Sequence, residues 1–217
     1  SYFSRAVKPD NGVYCTGGYI YRVHDGLYNK IMAADDIKLP GTHNLENYMA
    51  AFAATDGYVD DDTCISVAKS FSGVEHRLEQ VRVLNGVTFI NDSIGTSPTR
   101  TAAGLHALKQ KPILIAGGYD KHIPFDELGD EICLHVKKLY LTGATTEKIY
   151  AAVTKSKYFD GNLPIEKIDD FKDAVLAAAD SAQDGDVVLL SPACAAFDKF
   201  KNFMERGKYF KQIVMEL

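Results

Sequence analysis

The sequence predicts an α/β protein whose larger part is a doubly wound, mostly parallel sheet. Apolar runs such as residues 113–116 and 187–190 contain no polar side chain. Strands that are buried on both faces read as continuous apolar runs, whereas half-exposed strands alternate with polar residues. Helical patterns, with apolar residues three and four positions apart, separate these runs. This alternation favours parallel strands joined by right-handed helical crossovers.

The first 72 residues follow a different pattern, with short strands followed by two helices. Residues 13–39 are β-prone segments next to turn sequences, Asp-Asn-Gly at 10–12 and His-Asp-Gly at 24–26. One helical pattern ends at Gly57, and a second runs from the acidic residues 60–62 to Ser70. Because the pattern changes at a Ser-Gly stretch, we expect two domains, residues 1–72 and 73–217.

After this boundary the pattern predicts a hairpin and then alternating helices and strands. The hairpin joins residues 78–84 and 87–90 through Asn85-Gly86, a dipeptide that strongly favours a two-residue turn. The predicted helices cover residues 98–109, 125–134, 145–153, 171–182 and 197–207. The predicted strands between them cover residues 112–116, 138–141, 165–168 and 186–190.

Composition and charge exclude several classes of protein. The 217 residues are 46% hydrophobic and 24% charged, which is typical of a globular chain with a sizeable core. The net charge of −5 argues against nucleic acid as the main partner, and no apolar run is long enough to span a membrane. The start of the chain has no signal-peptide pattern, and the four cysteines are scattered without a C-x-x-C pair. We therefore expect a cytoplasmic protein with reduced thiols and no metal-ligating set.

Polar and glycine residues directly follow four of the predicted strands. These segments are Asn-Asp-Ser-Ile-Gly-Thr at 91–96, Gly-Gly-Tyr-Asp-Lys at 117–121, Thr-Gly at 142–143 and Ser-Pro-Ala-Cys-Ala at 191–195. Taken singly, each could be a helix start or a tight turn. Taken together, they predict a site for a small anionic ligand, because ligands of doubly wound sheets bind at the carboxyl ends of the strands. The chain contains no phosphate-loop motif and no G-x-G-x-x-G.

These segments and two further motifs resemble the C-terminal part of the Mur ligases, which build the peptidoglycan stem peptide. The further motifs are Gly-Thr-His-Asn-Leu-Glu-Asn at 41–47 and His-Arg at 76–77. All of them occur in family order, and the Asn-Asp-Ser and Ser-Pro-Ala-Cys-Ala segments are similar to the branch that adds D-glutamate. The resemblance implies that residues 1–72 are the C-terminal remnant of the central ATPase domain. Residues 73–217 would then be the Rossmann-like C-terminal domain.

The resemblance implies an ATP-dependent acid–amino-acid ligase that adds D-glutamate to UDP-N-acetylmuramoyl-L-alanine. In this family ATP phosphorylates the substrate carboxylate, and the amine then attacks the acyl phosphate. The phosphate loop and most Mg²⁺ ligands would belong to the missing N-terminal and central regions, so we expect the chain to be inactive alone. Two alternatives remain open. One is another Mur-type or folylpolyglutamate-type ligase, and the other is a stand-alone Rossmann-like module that binds a small acid.

The resemblance also implies roles for individual residues. The implied ATP-binding residues are Asn44 and Asn47 beside the adenine, Arg77 at the γ-phosphate and Asp92 at the ribose hydroxyls. The implied D-glutamate-binding residues are Thr96, Lys121, Ala196, Phe197 and Phe203. Arg77 and Lys121 would be the catalytic residues, since their cations suit phosphate and carboxylate groups.

Simpler interpretations compete with three of these roles. Asn44 could supply a helix cap, Arg77 could pair with a neighbouring glutamate, and Lys121 could pair with Asp120. Two positions also depart from the family pattern. Ile94 stands where lysine is common, and Ala196 stands where serine is common.

Overall fold

The computed structural model describes residues 2–39 and 41–217, apart from the side chain of His43. The chain divides into two compact units, Ser1–Gly73 and Val74–Leu217. The boundary that the sequence predicts lies one residue earlier. The first unit has one buried apolar cluster, and the second unit has two.

The first unit is a four-stranded sheet followed by two helices. Its elements are β1 (Tyr2–Ser4), β2 (Gly12–Thr16), β3 (Tyr19–His24), β4 (Leu27–Ala33), a 3₁₀ turn (Ala34–Asp36), α1 (Thr42–Ala54) and α2 (Asp61–Ser70). The strands lie in chain order, with β1 parallel to β2 and the other pairs antiparallel. The buried Arg22 of β3 forms ion pairs with Asp56 and Asp61, both at 2.7 Å. It thereby ties the sheet to the segment that begins α2.

The second unit is a six-stranded sheet with helices on both faces. Its strands are β5 (Glu79–Leu84), β6 (Val87–Asn91), β7 (Ile113–Ala116), β8 (Lys138–Leu141), β9 (Ile165–Lys167) and β10 (Val187–Leu190). Its helices are α3 (Pro98–Ala107), α4 (Asp126–His135), α5 (Thr146–Lys155), α6 (Phe171–Asp180) and α7 (Phe203–Glu216). The strand order is β5-β6-β10-β7-β8-β9, and only the β5–β6 pair is antiparallel. The predicted doubly wound sheet is therefore confirmed.

The two faces of this sheet bury separate clusters of apolar side chains. Helices α3, α4 and α5 cover one face with residues such as Leu105, Ile132 and Val153. Helices α6 and α7 cover the other face with residues such as Val175 and Phe210. Strands between two apolar layers must be apolar on both sides, which explains their continuous hydrophobic runs.

The hairpin turn has the predicted conformation. Asn85 and Gly86 adopt φ angles of 51° and 78°, and a type I′ turn requires positive φ at both central residues. The turn connects β5 directly to β6, as the sequence indicates.

The predicted position of the last helix is wrong. The sequence interpretation placed it at residues 197–207, whereas α7 begins at Phe203 and continues to Glu216. Its start is set by Asn202, whose side chain accepts a hydrogen bond from the Glu205 amide at 2.9 Å. Gly207, which we interpreted as a helix end, lies buried in the helix against His76. The glycine is required there for close packing and not for termination.

None of the described helices is long and apolar enough to cross a lipid bilayer.

Gly207→Ala should destabilise the second unit. A Cβ atom at this position would lie 2.3 Å from Nδ1 of His76, so the ring must move. We expect a loss of about 1–3 kcal/mol in the free energy of unfolding, because overpacking outweighs the gain in helix propensity. Denaturant unfolding measures this, with the exposed neighbouring substitution Lys208→Ala as a control that should change it by less than about 0.5 kcal/mol. An unchanged midpoint for Gly207→Ala would show that the ring has room to move.

Candidate functional site

Loops that follow four parallel strands meet at the carboxyl edge of the second unit's sheet. Backbone N–H groups donate from Ala193 to Gly95, from Gly117 to Pro192, from Tyr119 to Ala195 and from Thr145 to Gly118, at 2.8–3.1 Å. These bonds join the segments that follow β6, β10, β7 and β8. The predicted convergence of these four segments at one edge is thus observed.

Two glycines allow this close approach of backbones. Gly117 and Gly118 adopt φ angles of 117° and 144°, which side-chain-bearing residues rarely adopt. A Cβ atom on Gly117 would lie 1.9 Å from the carbonyl oxygen of Thr142. A Cβ atom on Gly118 would lie 2.5 Å from the carbonyl oxygen of Ala195. The end of β7 therefore fits against the loops after β8 and β10 only because both positions are glycine.

Asp92 is buried beneath this edge, with 5% of its surface exposed. One carboxylate oxygen accepts a hydrogen bond from Ser191 Oγ at 2.7 Å, and the other accepts from the Leu78 amide at 3.2 Å. Burial raises the pKa of this carboxyl to about 6, although both hydrogen bonds oppose the shift. A contact between this carboxylate and ribose hydroxyls remains a prediction.

Arg77 is exposed and, among the described residues, forms no ion pair. The alternative pairing with a neighbouring glutamate is wrong, because Glu75 and Glu79 both bind the ammonium of Lys211, at 3.1 and 2.6 Å. The guanidinium is therefore available for an anionic group.

The backbone on either side of Arg77 is strained. His76 and Leu78 adopt left-handed φ angles of 66° and 44°, which non-glycine residues occupy at a cost. The His76 ring is buried, and its Nδ1 lies 2.9 Å from the side-chain amide nitrogen of Asn91. Burial lowers the pKa of His76, so the neutral ring is favoured. The segment that presents Arg77 is thus anchored by a fixed, neutral histidine.

Lys121 lies in the loop after β7 and is also exposed and unpaired among the described residues. Its expected partner in the simpler interpretation, Asp120, instead binds the ammonium of Lys148 and the amide of His122. The pairing of Lys121 with Asp120 is therefore wrong. The loop that carries Lys121 is joined to the loop after β10 through Tyr119 and Ala195.

The other residues that the resemblance assigns to D-glutamate lie on the same edge. Thr96 is half-buried in the loop after β6, and Ala196 is buried in the loop after β10. Phe197 is exposed and contacts the Tyr119 ring edge-on, with the centroids 5.9 Å apart. Phe203, the first residue of α7, contacts His76 in the same manner.

Asn44 and Asn47 belong to the first unit. Both lie on α1, and their spacing of three places them on one face of the helix. Asn44 is half-buried and Asn47 is exposed. The helix is preceded by Gly41, which has no side chain for capping, so Asn44 is not the N-cap residue.

Arg206 is a residue of this edge that the sequence interpretation missed. It is 2% exposed, and its guanidinium donates to Ser93 Oγ and to the carbonyl oxygens of Ser93, Cys194 and Ala195, at 3.0–3.1 Å. These acceptors are all neutral, and burial lowers the pKa of the group to about 10. It therefore remains charged at neutral pH. The only signal in the sequence is an arginine on the otherwise apolar face that includes Phe210.

Comparison with known proteins identifies the family. The profile described as "Mur ligase, glutamate ligase domain" matches residues 76–194, which is more than half of the chain. The chain belongs to the Mur ligase family. UDP-N-acetylmuramoylalanine--D-glutamate ligase of Ruminiclostridium cellulolyticum is 46% identical over 219 residues, which cover 100% of this chain and 47% of that protein. The enzyme of the same name from Acetivibrio thermocellus is 48% identical over 216 residues, covering 98% and 46%.

This Mur ligase chain spans about half the length of the curated relatives that it matches. Solved structures support its fold. MurF from Acinetobacter baumannii aligns with a TM-score of 0.64 at 14% identity, covering 99% of this chain and 47% of that one. The bifunctional folylpolyglutamate synthase/dihydrofolate synthase from Yersinia pestis aligns at 0.63 and 11%, covering 95% and 46%. At such identities the likeness concerns the fold alone.

The buried carboxyl of Asp92 should make the stability of this Mur ligase chain depend on pH. Its folded pKa is raised to about 6, so its contribution is fully present below about pH 4 and is lost as pH rises through 6. Relative to Asp92→Asn, the wild type should lose at most about 3 kcal/mol over this range, since two pKa units correspond to that energy. Urea unfolding of both chains from pH 4 to 7.5 measures the difference. A difference that stays constant would mean that the carboxyl titrates normally.

Proposed function

We propose that this chain is the C-terminal half of an ATP-dependent ligase that adds D-glutamate to UDP-N-acetylmuramoyl-L-alanine in peptidoglycan synthesis. The observation that carries the proposal is a pair of exposed cations on the loop segments of the second unit, Arg77 and Lys121, which form no ion pair with the residues that the structure describes. Two free cations suit a reaction whose participants are a phosphate and a dicarboxylic amino acid. The relatives that carry this name are 43–48% identical to the chain, which supports the same substrate class. The enzyme would act in the cytoplasm.

The first unit would be the end of the central ATPase domain, and the second would be the C-terminal domain. ATP, as a substrate, supplies the phosphoryl group that activates the alanyl carboxylate for attack by the D-glutamate amine. Asn44 and Asn47 carry amides that can pair with the donor and acceptor edge of adenine. The chain has no phosphate-loop motif, so the N-terminal half that its relatives possess would hold most of the triphosphate and Mg²⁺.

Arg77 would bind the γ-phosphate through its planar guanidinium, which can donate two parallel hydrogen bonds to phosphate oxygens. Asp92 would accept from the ribose hydroxyls. These contacts would stabilise negative charge while it shifts during phosphoryl transfer, and such electrostatic stabilisation lowers the barrier.

Lys121 and Thr96 would bind the carboxylates of D-glutamate. Ala196, Phe197 and Phe203 would line the same pocket with backbone and ring surface. Ala196 has no hydroxyl group to donate, so a larger share of carboxylate recognition falls on the ammonium of Lys121. The buried charge of Arg206 adds positive potential behind the loop after β10 without being exposed to the ligand.

A folylpolyglutamate-type ligase is the nearest alternative, because such enzymes share the fold. The Ser-Pro-Ala-Cys-Ala segment and the names of the similar relatives favour D-glutamate addition. A stand-alone binding module is less well supported, because the sequence similarity extends through the first unit as well as the second.

Phosphate release by the complete enzyme tests the proposal. The complete enzyme is this chain joined to the N-terminal half that its relatives possess. Release that requires both D-glutamate and UDP-N-acetylmuramoyl-L-alanine supports it, and release with a folate substrate instead contradicts it.

Arg77→Ala in the complete enzyme should lower kcat by about 100-fold or more while changing the KM for ATP little. The reason is that a guanidinium at the γ-phosphate stabilises charge that develops in the transition state. Arg77→Lys is the matched variant, which keeps the charge but loses the two-pronged geometry, so it should recover only part of the rate. Steady-state phosphate release measures both. A wild-type kcat in Arg77→Ala would show that Arg77 does not stabilise the transition state.

Lys121→Met should raise the KM for D-glutamate by about 10–100-fold and leave the KM for ATP unchanged. Loss of a charge-assisted hydrogen bond costs about 1.5–3 kcal/mol, which corresponds to that factor. Lys109→Met is the matched control, because Lys109 is exposed beyond the end of α3, near the opposite edge of the sheet. An equal KM for D-glutamate in both variants would show that Lys121 does not bind D-glutamate and is an ordinary surface lysine.

A further inference from the structure

Two histidines and a glutamate form a cluster on α3 and α4, which we name the α3–α4 cluster. His106 lies in the last turn of α3, and Glu131 and His135 lie four residues apart on α4. Oε2 of Glu131 lies 2.8 Å from Nε2 of His106 and 3.4 Å from Nε2 of His135. One ligating atom from each residue lies within 4.8 Å of the other two.

The α3–α4 cluster is separate from the candidate functional site. Helices α3 and α4 follow strands β6 and β7, so their first turns lie near the carboxyl edge and their last turns near the amino edge. His106 and His135 are both in last turns. None of the roles proposed above uses these residues.

The two distances from Glu131 Oε2 to the imidazole nitrogens suit a small tetrahedral cation. Zn²⁺ binds imidazole nitrogen and carboxylate oxygen at about 2.0–2.2 Å, which places neighbouring tetrahedral ligands roughly 3.3 Å apart. The observed separations of 2.8 and 3.4 Å lie on either side of this value. Two histidines and one carboxylate are also a common protein set for zinc, with a further position left for water.

The surroundings of Glu131 favour a cation as well. Its Oε2 atom is buried and accepts no hydrogen bond among the described residues, although both imidazoles approach it. A metal ion between this oxygen and the two imidazole nitrogens would satisfy all three atoms. The partial negative charges at the C-terminal ends of α3 and α4 add to the attraction.

A second group of metal-ligating side chains lacks this property. Glu75, His76 and Glu79 also lie close together, but the ammonium of Lys211 binds both glutamates. A cation already occupies the position where a metal would bind. This contrast leaves the α3–α4 cluster as the better candidate.

We propose that His106, Glu131 and His135 bind one Zn²⁺ ion that links α3 to α4. The histidine side chains are 55% and 39% exposed, so the ion can enter from solvent without unfolding the domain. Because the ion would bind the folded chain only, it would raise thermal stability. We predicted no metal-ligating set from the sequence because the four cysteines are scattered.

Isothermal titration of the metal-free 217-residue chain with Zn²⁺ tests this proposal, together with thermal unfolding. We expect one equivalent to bind and the melting temperature to rise. His106→Ala and His135→Ala should each weaken binding by roughly 10-fold or more, and Glu131→Gln should do the same while preserving side-chain shape. His24→Ala is the matched control, because His24 is also exposed beside a carboxylate, that of Asp56.

Three results would overturn the proposal. Absence of Zn²⁺ binding to the wild type would mean that the imidazoles serve only as partners of Glu131. Equal binding by the wild type and both histidine variants would place the ion elsewhere. Loss of binding in His24→Ala alone would lead to the same conclusion.

Discussion

The candidate functional site depends on the hydrogen bonds that the buried guanidinium of Arg206 donates to two loops. It holds the loop after β6 through Ser93 and the loop after β10 through Cys194 and Ala195. Ser93 Oγ in turn donates to the carbonyl oxygen of Phe203, which ties the start of α7 to the same place. A buried charge without a counter-ion is tolerated only where its hydrogen bonds are satisfied. A shift of either loop would break hydrogen bonds to this buried charge, which is energetically unfavourable.

The charges around the site are arranged for anions even though the whole chain is acidic. Its net charge is −5, but the exposed cations Arg77 and Lys121 form no ion pair within the described part of the chain. Asp92 lies buried beneath the edge, where its carboxylate attracts Arg77, and Asp120 is paired with Lys148. An acidic net charge therefore does not exclude exposed cations at this edge, and such cations suit anionic groups.

Several features of the site are costly in isolation and stable only together. His76, Leu78 and Ala193 adopt left-handed backbone angles, and the carboxyl of Asp92 is removed from water. The backbone bond from Ala193 to Gly95 and the bond from Ser191 to Asp92 connect these positions. Strain that the surrounding structure maintains in this way is common at functional sites, where it presents side chains in fixed directions.

Local sequence was sufficient where a short-range physical preference decides the structure. Asn85 and Gly86 both tolerate the positive φ angles that a type I′ turn requires, so these two residues predict the hairpin. The parallel sheet follows from apolar runs separated by helices. Local rules failed at Gly207, because a glycine that ends a helix and a glycine that packs against His76 look the same in sequence. The partner of Lys211 was equally hidden, since Glu75 and Glu79 are more than a hundred residues away.

The sequence by itself determined the fold class, the hairpin and the strand-end segments. It could do so because periodicity, turn chemistry and motifs are encoded within a few neighbouring residues. Only the tertiary structure decided that Arg77 and Lys121 have no ion-pair partner among the described residues, that Arg206 joins the loops after β6 and β10, and that His106 faces Glu131. These facts depend on which distant side chains the folded backbone brings within a few ångströms of one another, and no local pattern records that.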